Sequence, residues 1–303
     1  MKIAAIGQSS GSSQPSRTKI RISTLQEKKK RHEPISSVSL GDFASAHLAD
    51  EAGIDFLLVG DSLAMTLLGY ETTLPVTMDE MLHHTRAVRR GVRYALVVAD
   101  MPFASYTINV DEGVRNATRF LQEAGAEAVK IEGGEKRSEL VRRIVDAEIP
   151  VMGHIGLTPQ SVNVMSGYKV QGKSLEAAEN LMRDAVALER AGAFAVLLEG
   201  VPREVAAMIT AELSVPTIGI GAGPDCDGQI LVFHDLMGLA TEPPAKFVRK
   251  YADGAGIVSN ALQAYKADLE SRKFPSDEES YHLPKEAQLA LAPVRMRKRA
   301  VVQ

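Results

Sequence analysis

Four short apolar segments, each ending in a carboxylate, constrain the fold of this chain more than any other feature. The segments cover residues 56–61, 95–100, 128–132 and 194–199, and they end at Asp61, Asp100, Glu132 and Glu199. Aliphatic and β-branched runs of this kind are typical of strands buried on both faces of a parallel sheet. Parallel α/β folds bind ligands at the carboxyl ends of their strands. We therefore expect the four acids to meet at one mouth, which favours a metal-assisted enzyme.

Helical and strand patterns alternate along the central part of the chain. They predict helices over residues 25–31, 43–52, 78–91, 110–124, 135–147, 174–191 and 203–213. They predict strands at residues 35–40, 56–61, 94–99, 128–131, 150–153, 194–198 and 216–220, with residues 229–233 as the source of an eighth. Gly53, Gly125 and Gly192 each follow a predicted helix, where a positive φ is needed. The simplest account is a single α/β domain, a closed (β/α)8 TIM barrel.

The two ends of the chain differ from this repeat. Residues 1–22 contain too few apolar side chains to offset the entropy of ordering, so we predict a disordered N-terminal tail. An organelle transit peptide is the alternative, but the segment lacks a clear amphipathic period. We assign residues 23–282 to the barrel domain and residues 283–303 to a C-terminal tail, whose basic cluster we interpret as exposed charge.

Charge and composition exclude several classes of function. The net charge of −3 provides no basic footprint for nucleic acid or for an anionic membrane. No apolar stretch approaches the roughly 20 residues that cross a bilayer. The single cysteine, Cys226, excludes an intrachain disulfide framework and a zinc–thiolate cluster. We therefore expect a cytoplasmic enzyme that acts on small molecules and binds neither nucleic acid nor membrane.

Three of the strand-end acids form an oxygen-only set of candidate metal ligands. Hard oxygen ligands without neighbouring His or Cys favour Mg²⁺, which keeps several waters and leaves positions open for substrate oxygens. Asp61 and Asp100 are the candidate direct ligands, and Glu132 is the candidate ligand through a water molecule. The alternative for any one of these acids is that it caps the helix that follows it.

Three other residues are candidates for substrate binding or proton transfer. Lys130 lies two residues before Glu132, so both side chains point to the same face of a strand. Lys130 can hold a substrate carboxylate there, or it can form an inward pair with Glu132. Glu199 ends a separate strand and is the candidate general base that takes a proton from carbon; helix capping is its alternative. His154 either donates to a bound oxygen or is a satisfied core histidine.

Several longer strings resemble one family of enzymes. The strings are VGDS at 59–62, TLPVT at 73–77, HT at 84–85, AVRRG at 87–91, VKIEGG at 129–134, GHIGLTPQS at 153–161, GYKVQG at 167–172 and DGQILV at 227–232. Together they resemble the ketopantoate hydroxymethyltransferase family, also called 3-methyl-2-oxobutanoate hydroxymethyltransferase. The likeness extends from about residue 23 to residue 282.

The resemblance implies both a reaction and a site. It implies that 5,10-methylenetetrahydrofolate donates a hydroxymethyl group to 3-methyl-2-oxobutanoate, giving 2-dehydropantoate through a Mg²⁺-stabilised enolate in the first step of pantothenate biosynthesis. It implies Asp61 and Asp100 as metal ligands, Glu132 as a water-mediated ligand, and Glu199 as the proton acceptor. It also implies a homo-oligomer, a decamer in this family. The resemblance also implies Ser62 and Lys130 as substrate-binding residues; Asp61, Asp100 and His154 complete the predicted substrate-binding set.

Two positions depart from the family, and two other functions remain as alternatives. Gly41 replaces a usual tyrosine, which predicts a larger or looser pocket wall, and Gly200 replaces the commoner cysteine. A barrel enzyme of the phosphoenolpyruvate mutase and isocitrate lyase type also holds an enolate on Mg²⁺, but it favours a reactive loop cysteine, and Cys226 lies outside any such motif. A catalytically inactive binding protein is disfavoured because the candidate metal acids are all present.

Overall fold

The computed structural model describes residues 17–240 and 243–290. Most of the predicted N-terminal tail and residues 291–303 of the predicted C-terminal tail therefore lie outside the described residues. Eight parallel strands pair in sequence order and close into a barrel, which confirms the predicted TIM-barrel fold. The strands are Ile35–Ser39 (β1), Phe56–Val59 (β2), Leu96–Asp100 (β3), Ala128–Glu132 (β4), Val151–Gly156 (β5), Ala195–Glu199 (β6), Thr217–Ile220 (β7) and Gly228–Val232 (β8).

The helices include the seven that the pattern predicts, with bounds that differ by a few residues at most. They are Ile22–Lys30 (α1), Phe43–Glu51 (α2), Leu63–Thr66 (α3), Met78–Gly91 (α4), Val110–Ala124 (α5), Ser138–Asp146 (α6), Val162–Met165 (α7), Leu175–Arg190 (α8), Arg203–Glu212 (α9), Phe233–Leu236 (α10) and Gly254–Glu270 (α11). Two 3-10 turns cover Glu135–Arg137 and Pro159–Ser161. Gly53, Gly125 and Gly192 have φ of +89°, +73° and +97°, as the helix ends predict.

The βα alternation is irregular in its last repeat. Residues 221–227, all of them described, connect β7 to β8 without an intervening helix. β8 nevertheless pairs with β1 along five residue pairs, from Ile35 with Gly228 to Ser39 with Val232. The barrel therefore closes through β8, although the connection before this strand is only a loop.

Helix α1 closes the amino-terminal end of the barrel. Leu25 of α1 is fully buried and clusters with Ile35 and Phe56, the first residues of β1 and β2. Burial of a leucine side chain contributes about 2 kcal/mol. Lys28 and Lys29 add ion pairs of 2.6 Å to Asp55 and 2.7 Å to Asp227, the residues just before β2 and β8. Apolar packing thus fills this end of the barrel, and the polar inward side chains lie at the other end.

The chain divides into two compact units at residue 252. The barrel belongs to the first unit. In the second unit, α11 begins at an Asp253 cap, whose carboxylate accepts a 3.2 Å hydrogen bond from the backbone N–H of Gly256. Across the described parts of both units, no helix is long and apolar enough to cross a membrane. The predicted barrel limit at residue 282 stays a prediction.

Candidate active site

The carboxyl ends of the strands bring every predicted site residue to one pocket at the mouth of the barrel. The predicted residues that line this pocket are Asp61, Ser62, Asp100, Lys130, Glu132, His154 and Glu199. β2, β3, β4, β5 and β6 supply these residues, either from their last residues or from the positions that follow. Asp61 and Glu199 are far apart in the sequence, but five neighbouring parallel strands bring them to the same pocket.

Strand register explains how charged residues become neighbours inside the barrel. Asp100 of β3 pairs with Lys130 of β4, and Glu132 of β4 pairs with His154 of β5. Lys130 and Glu132 are two residues apart, so both point inward, as alternation along a strand requires. Both side chains are buried. The predicted shared face of these two residues is thus the interior of the barrel.

Lys130 balances the acids of the site. Its Nζ lies 3.3 Å from Oδ1 of Asp100 and 3.8 Å from Oε1 of Glu132. Burial disfavours the charged lysine, but the carboxylates of Asp100 and Glu132 outweigh burial and raise the pKa of Lys130 above its usual range. An ammonium in this position is held by charge attraction, because an unpaired buried cation would be costly. The inward pair with Glu132 therefore exists, and it leaves Lys130 facing the same pocket.

Asp61 and Asp100 lie close together, and both are buried. The backbone N–H of Asp61 donates to Oδ2 of Asp100 at 2.9 Å. Burial and the nearby charge of Glu132 raise the pKa of Asp61 to about 6. Burial, with the charge of Asp61 adding to it, raises the pKa of Asp100 to about 7, although Lys130 opposes the shift. A cation in contact with these carboxylates would favour their ionised forms.

The donor set of the site fits a hard divalent cation. Among the described residues, Oδ1 of Asp100 and Oε1 of Glu132 are buried without a hydrogen-bond partner. Such acceptors are rare in folded proteins and call for a ligand or a water molecule. No three His, Cys, Asp or Glu side chains of the described chain are arranged to hold a metal ion by themselves. Water and substrate oxygens would have to complete the shell, which is how Mg²⁺ is usually bound.

Gln160 organises the acids, and the sequence analysis did not single it out. Its Nε2 donates to Oδ2 of Asp61 at 2.8 Å and to the carbonyl of Met101 at 3.0 Å. Its backbone N–H donates to Oε2 of Glu132 at 3.0 Å, and its Oε1 accepts from the hydroxyl of Tyr106 at 2.7 Å. The string at 153–161 contained this residue, but only the loop conformation after β5 brings it to the acids.

His154 is neutral, and its contacts determine its tautomer. Burial, and then the charge of Lys130, lower the pKa of His154 to about 4. Its Nδ1 lies 3.0 Å from Nζ of Lys130, which can only donate, and 3.3 Å from Oε1 of Glu132. The closer contact, with Lys130, makes Nδ1 the acceptor, so Nε2 carries the proton. Nε2 faces Oε2 of Glu199 at 3.3 Å without a well-aligned hydrogen bond. His154 is therefore buried as a core histidine, yet it has one N–H available at the pocket.

Backbone conformation or close packing favours glycine at three positions around the site. A Cβ on Gly60 would lie 2.3 Å from Oγ of Ser39, which contacts Oγ of Ser62 at 3.3 Å. Gly200 has a φ of +55°, a conformation that favours glycine after Glu199. A Cβ on Gly41 would lie 2.7 Å from Cδ1 of Leu67. The Leu67 side chain therefore lies directly beside this glycine, and the expectation that Gly41 gives a larger or looser pocket wall stays a prediction.

The fold is shared with several solved structures at low sequence identity. A crystal structure of phosphonopyruvate hydrolase, in complex with oxalate and Mg²⁺, matches with a TM-score of 0.56 and 16% identity, covering 92% of this chain and 97% of that one. A crystal structure of 2,3-dimethylmalate lyase, a member of the phosphoenolpyruvate mutase and isocitrate lyase superfamily, matches with a TM-score of 0.56 and 16% identity, covering 93% and 98%. At this identity the likeness shows the fold alone.

Sequence comparison is far more specific. The profile of a family described as ketopantoate hydroxymethyltransferase matches residues 19–277. The 3-methyl-2-oxobutanoate hydroxymethyltransferase of Koribacter versatilis (strain Ellin345) is 64% identical over 285 residues, which are 94% of this chain and 97% of that protein. The protein of the same name from Syntrophomonas wolfei is 53% identical over 268 residues, 88% and 97% of the two chains. This chain belongs to the ketopantoate hydroxymethyltransferase family.

Proposed function

We propose that this protein transfers a hydroxymethyl group from 5,10-methylenetetrahydrofolate to 3-methyl-2-oxobutanoate, giving 2-dehydropantoate. Family membership supports the reaction. The observation that carries the proposal is the pocket in which Asp61, Asp100, Lys130 and Glu199 meet. A keto acid that is to lose a proton from carbon needs one group for its carboxylate, one for its carbonyl oxygen and one base. The pocket offers candidates for all three.

We propose that Asp61 and Asp100 hold a Mg²⁺ ion directly and that Glu132 holds it through water. Oδ1 of Asp100 and Oε1 of Glu132, which face Lys130 but accept no hydrogen bond, support this assignment. When bound, the ion would polarise the keto group and stabilise negative charge on its oxygen. Gln160 would keep the carboxylate of Asp61 in place through its 2.8 Å hydrogen bond. Lys130 and the hydroxyl of Ser62 are the proposed partners of the substrate's own carboxylate.

Glu199 is the proposed base that removes the proton from C3 of the keto acid. Its side chain is 17% exposed and lines the pocket, so it can meet a substrate there. The N–H at Nε2 of His154 faces one of its oxygens and would orient the carboxylate. The other oxygen remains for the proton. The carbon that loses this proton then attacks the methylene carbon of the folate and forms the new C–C bond. Both methylene C–N bonds of the folate break, and a water molecule supplies the hydroxyl group of the product. The proton from C3 and the second proton of the water go to the two folate nitrogens, and tetrahydrofolate leaves.

Two further proposals concern the whole protein. A cytoplasmic location follows from the biosynthetic role and from the single cysteine. A homo-oligomer is supported by α11, on which Ile257, Leu262 and Tyr265 are exposed. Exposed apolar side chains on one helix are typical of an interaction surface.

The proposed function is tested by measuring 2-dehydropantoate formation with Mg²⁺ and with EDTA, together with deuterium exchange at C3 of the keto acid. Wild type is expected to form product only with metal, and Asp61→Ala to lose product and exchange. Asp79→Ala, at an exposed aspartate on α4, is the matched control and should behave as wild type. Absence of both product and exchange in wild type would overturn the proposal. Exchange without product would refute the assigned one-carbon donor and keep only the proton-removal step.

A further inference from the structure

We propose that Tyr168 and Met65 form the binding site for the flat pterin and aminobenzoate portion of the one-carbon donor. This inference rests on the proposed function and adds the second substrate's site to it. The residues of the candidate keto-acid pocket leave the folate without a binding partner of its own. The string GYKVQG at 167–172 also had no assigned role.

The donor can reach the site only from the mouth of the barrel. Leu25 and the first residues of the strands fill the amino-terminal end with apolar side chains. The candidate keto-acid pocket lies at the opposite end, at the carboxyl ends of the strands. The methylene carbon must therefore be delivered from the loops around that mouth. The side chains that these loops present at the mouth are the candidates for holding the donor.

Residues 167–172 extend along this mouth from one side of the pocket to the other. The N–H of Gln171 donates to the carbonyl of Gly200 at 2.9 Å, directly after Glu199. At the other side, the hydroxyl of Tyr168 lies 3.9 Å from Sδ of Met65, three residues after Ser62. The loop thus lies between the proposed base and a proposed substrate-binding residue. Burial, and then the charges of Asp61 and Glu199, raise the pKa of the Tyr168 hydroxyl, in agreement with this position.

The two side chains offer an aromatic and a thioether surface to a ligand. Tyr168 is 49% exposed and Met65 is 39% exposed, although both lie beside a buried catalytic pocket. Aromatic rings and methionine sulfur both pack favourably on flat aromatic groups. The keto acid is aliphatic and small, so it has no need for such a surface. The pterin and aminobenzoate rings of the donor are flat and aromatic and match it.

Backbone geometry leaves room for a ligand beside the loop. Gly167 has a φ of +104°, and a Cβ placed on it would meet no atom within 4 Å among the described residues. Gly172 has a φ of +82° at the other end of the segment. Each conformation favours glycine. These two glycines lie on either side of Tyr168 in the loop at the mouth.

Two reactions distinguish a defect in the donor site from a defect in the keto-acid site. Transfer needs the folate, whereas deuterium exchange at C3 needs only the keto acid and metal. We expect Tyr168→Ala to raise the KM for methylenetetrahydrofolate about tenfold or more, the scale of losing an aromatic stacking partner. Exchange should stay within about twofold of wild type, and Tyr168→Phe should keep the wild-type KM because it keeps the ring. Tyr281→Ala, at an exposed tyrosine of the second unit, is the control and should change neither.

Direct binding gives a second measurement that does not depend on turnover. Calorimetric titration with tetrahydrofolate should show weaker binding to Tyr168→Ala and unchanged binding to Tyr168→Phe. An unchanged KM and unchanged tetrahydrofolate affinity in Tyr168→Ala would overturn the inference. A parallel loss of exchange would also overturn it, because the residue would then serve the keto acid or the fold. If wild type forms no product at all, the proposed function itself fails, which is a distinct result.

Discussion

Asp61 and Asp100 hold their protons more tightly than exposed aspartates do, and this property can be tested at the scale of single residues. Their pKa values are raised to about 6 and about 7 from 3.8. At pH values between 3.8 and these raised pKa values, the folded protein binds more protons than the unfolded chain. In the absence of metal, these two groups therefore destabilise the fold progressively as the pH rises through that window.

The same shifts predict how metal affinity depends on pH. Metal ligands must be deprotonated, so Mg²⁺ binding should release protons from Asp61 and Asp100. Affinity should be highest above pH 7 and should fall as the pH drops through about 7 and then about 6, by up to about tenfold per pH unit for each proton released. Calorimetry at pH 8, 6.5 and 5.5, in buffers of different ionisation enthalpy, measures both quantities. An affinity that is flat over this range would contradict the assignment.

Gln160 permits a second test at a single residue. Gln160→Leu removes the donors to Asp61 and to the carbonyl of Met101 while keeping a similar volume. We expect Mg²⁺ affinity to fall about 10- to 100-fold, as for the loss of groups that orient metal ligands. The affinity is measured by calorimetry, with thermal unfolding to verify the fold. Gln122→Leu, at an exposed position of α5, should leave affinity unchanged. Equal affinities in the two variants would refute the positioning role of Gln160.

At the scale of elements, α1 acts as the closure of the barrel. Leu25→Ala should destabilise the protein by about 2–5 kcal/mol, because a cavity would remain among the first residues of the strands. The free energy of unfolding in urea measures this. The KM for the keto acid should be unchanged in the folded variant, since the site lies at the other end. Leu48→Ala, at an exposed leucine of α2, is the control and should have almost no effect. An equal effect of both variants would contradict the closure.

The observed end of β5 differs from the end that the local sequence pattern predicts. The apolar run predicts that β5 ends at Gly153, yet the strand continues to Gly156. Its last residues pair with β6, Ile155 with Leu198 and Gly156 with Glu199. Strand length at the mouth is therefore determined by the neighbouring strand, which the local pattern does not contain. Among the described helices, α3, α7 and α10 were not predicted because four residues carry too little periodicity, and the longer α11 was not predicted either.

For the whole molecule, we expect α11 to form a contact between subunits of a homo-oligomer. Light scattering should show a mass that is a multiple of the 32.7 kDa chain. Glutamate at both Ile257 and Leu262 should reduce this mass, because two charges would enter an apolar contact. Gln263→Glu on the same helix replaces one polar residue by another and should preserve the assembly. A wild-type mass of one chain would refute the homo-oligomer, and an unaffected double variant would refute the role of α11.

Local sequence patterns were sufficient to predict the barrel and the positions of its acids. Buried parallel strands are continuous apolar runs, and their carboxyl ends share one mouth, so Asp61, Asp100, Glu132 and Glu199 were predictable from local pattern. The inward face of Lys130 followed in the same way from the two-residue period of a strand. Local geometry was also sufficient for the glycines that end helices, since their positive φ depends on a few neighbouring residues.

Contacts between residues that are distant in sequence depend on the tertiary fold, so local patterns do not predict them. Gln160 reaches Asp61 across 99 positions of the chain, and Leu67 fills the space beside Gly41. The tautomer of His154 depends on Lys130 in the adjacent strand. Tyr168, in a loop, meets Met65 of the four-residue helix α3, and no periodic pattern predicts this contact. These contacts join residues far apart in sequence and depend on loop conformation or on the register between strands, whereas strand period and strand order predict the barrel itself.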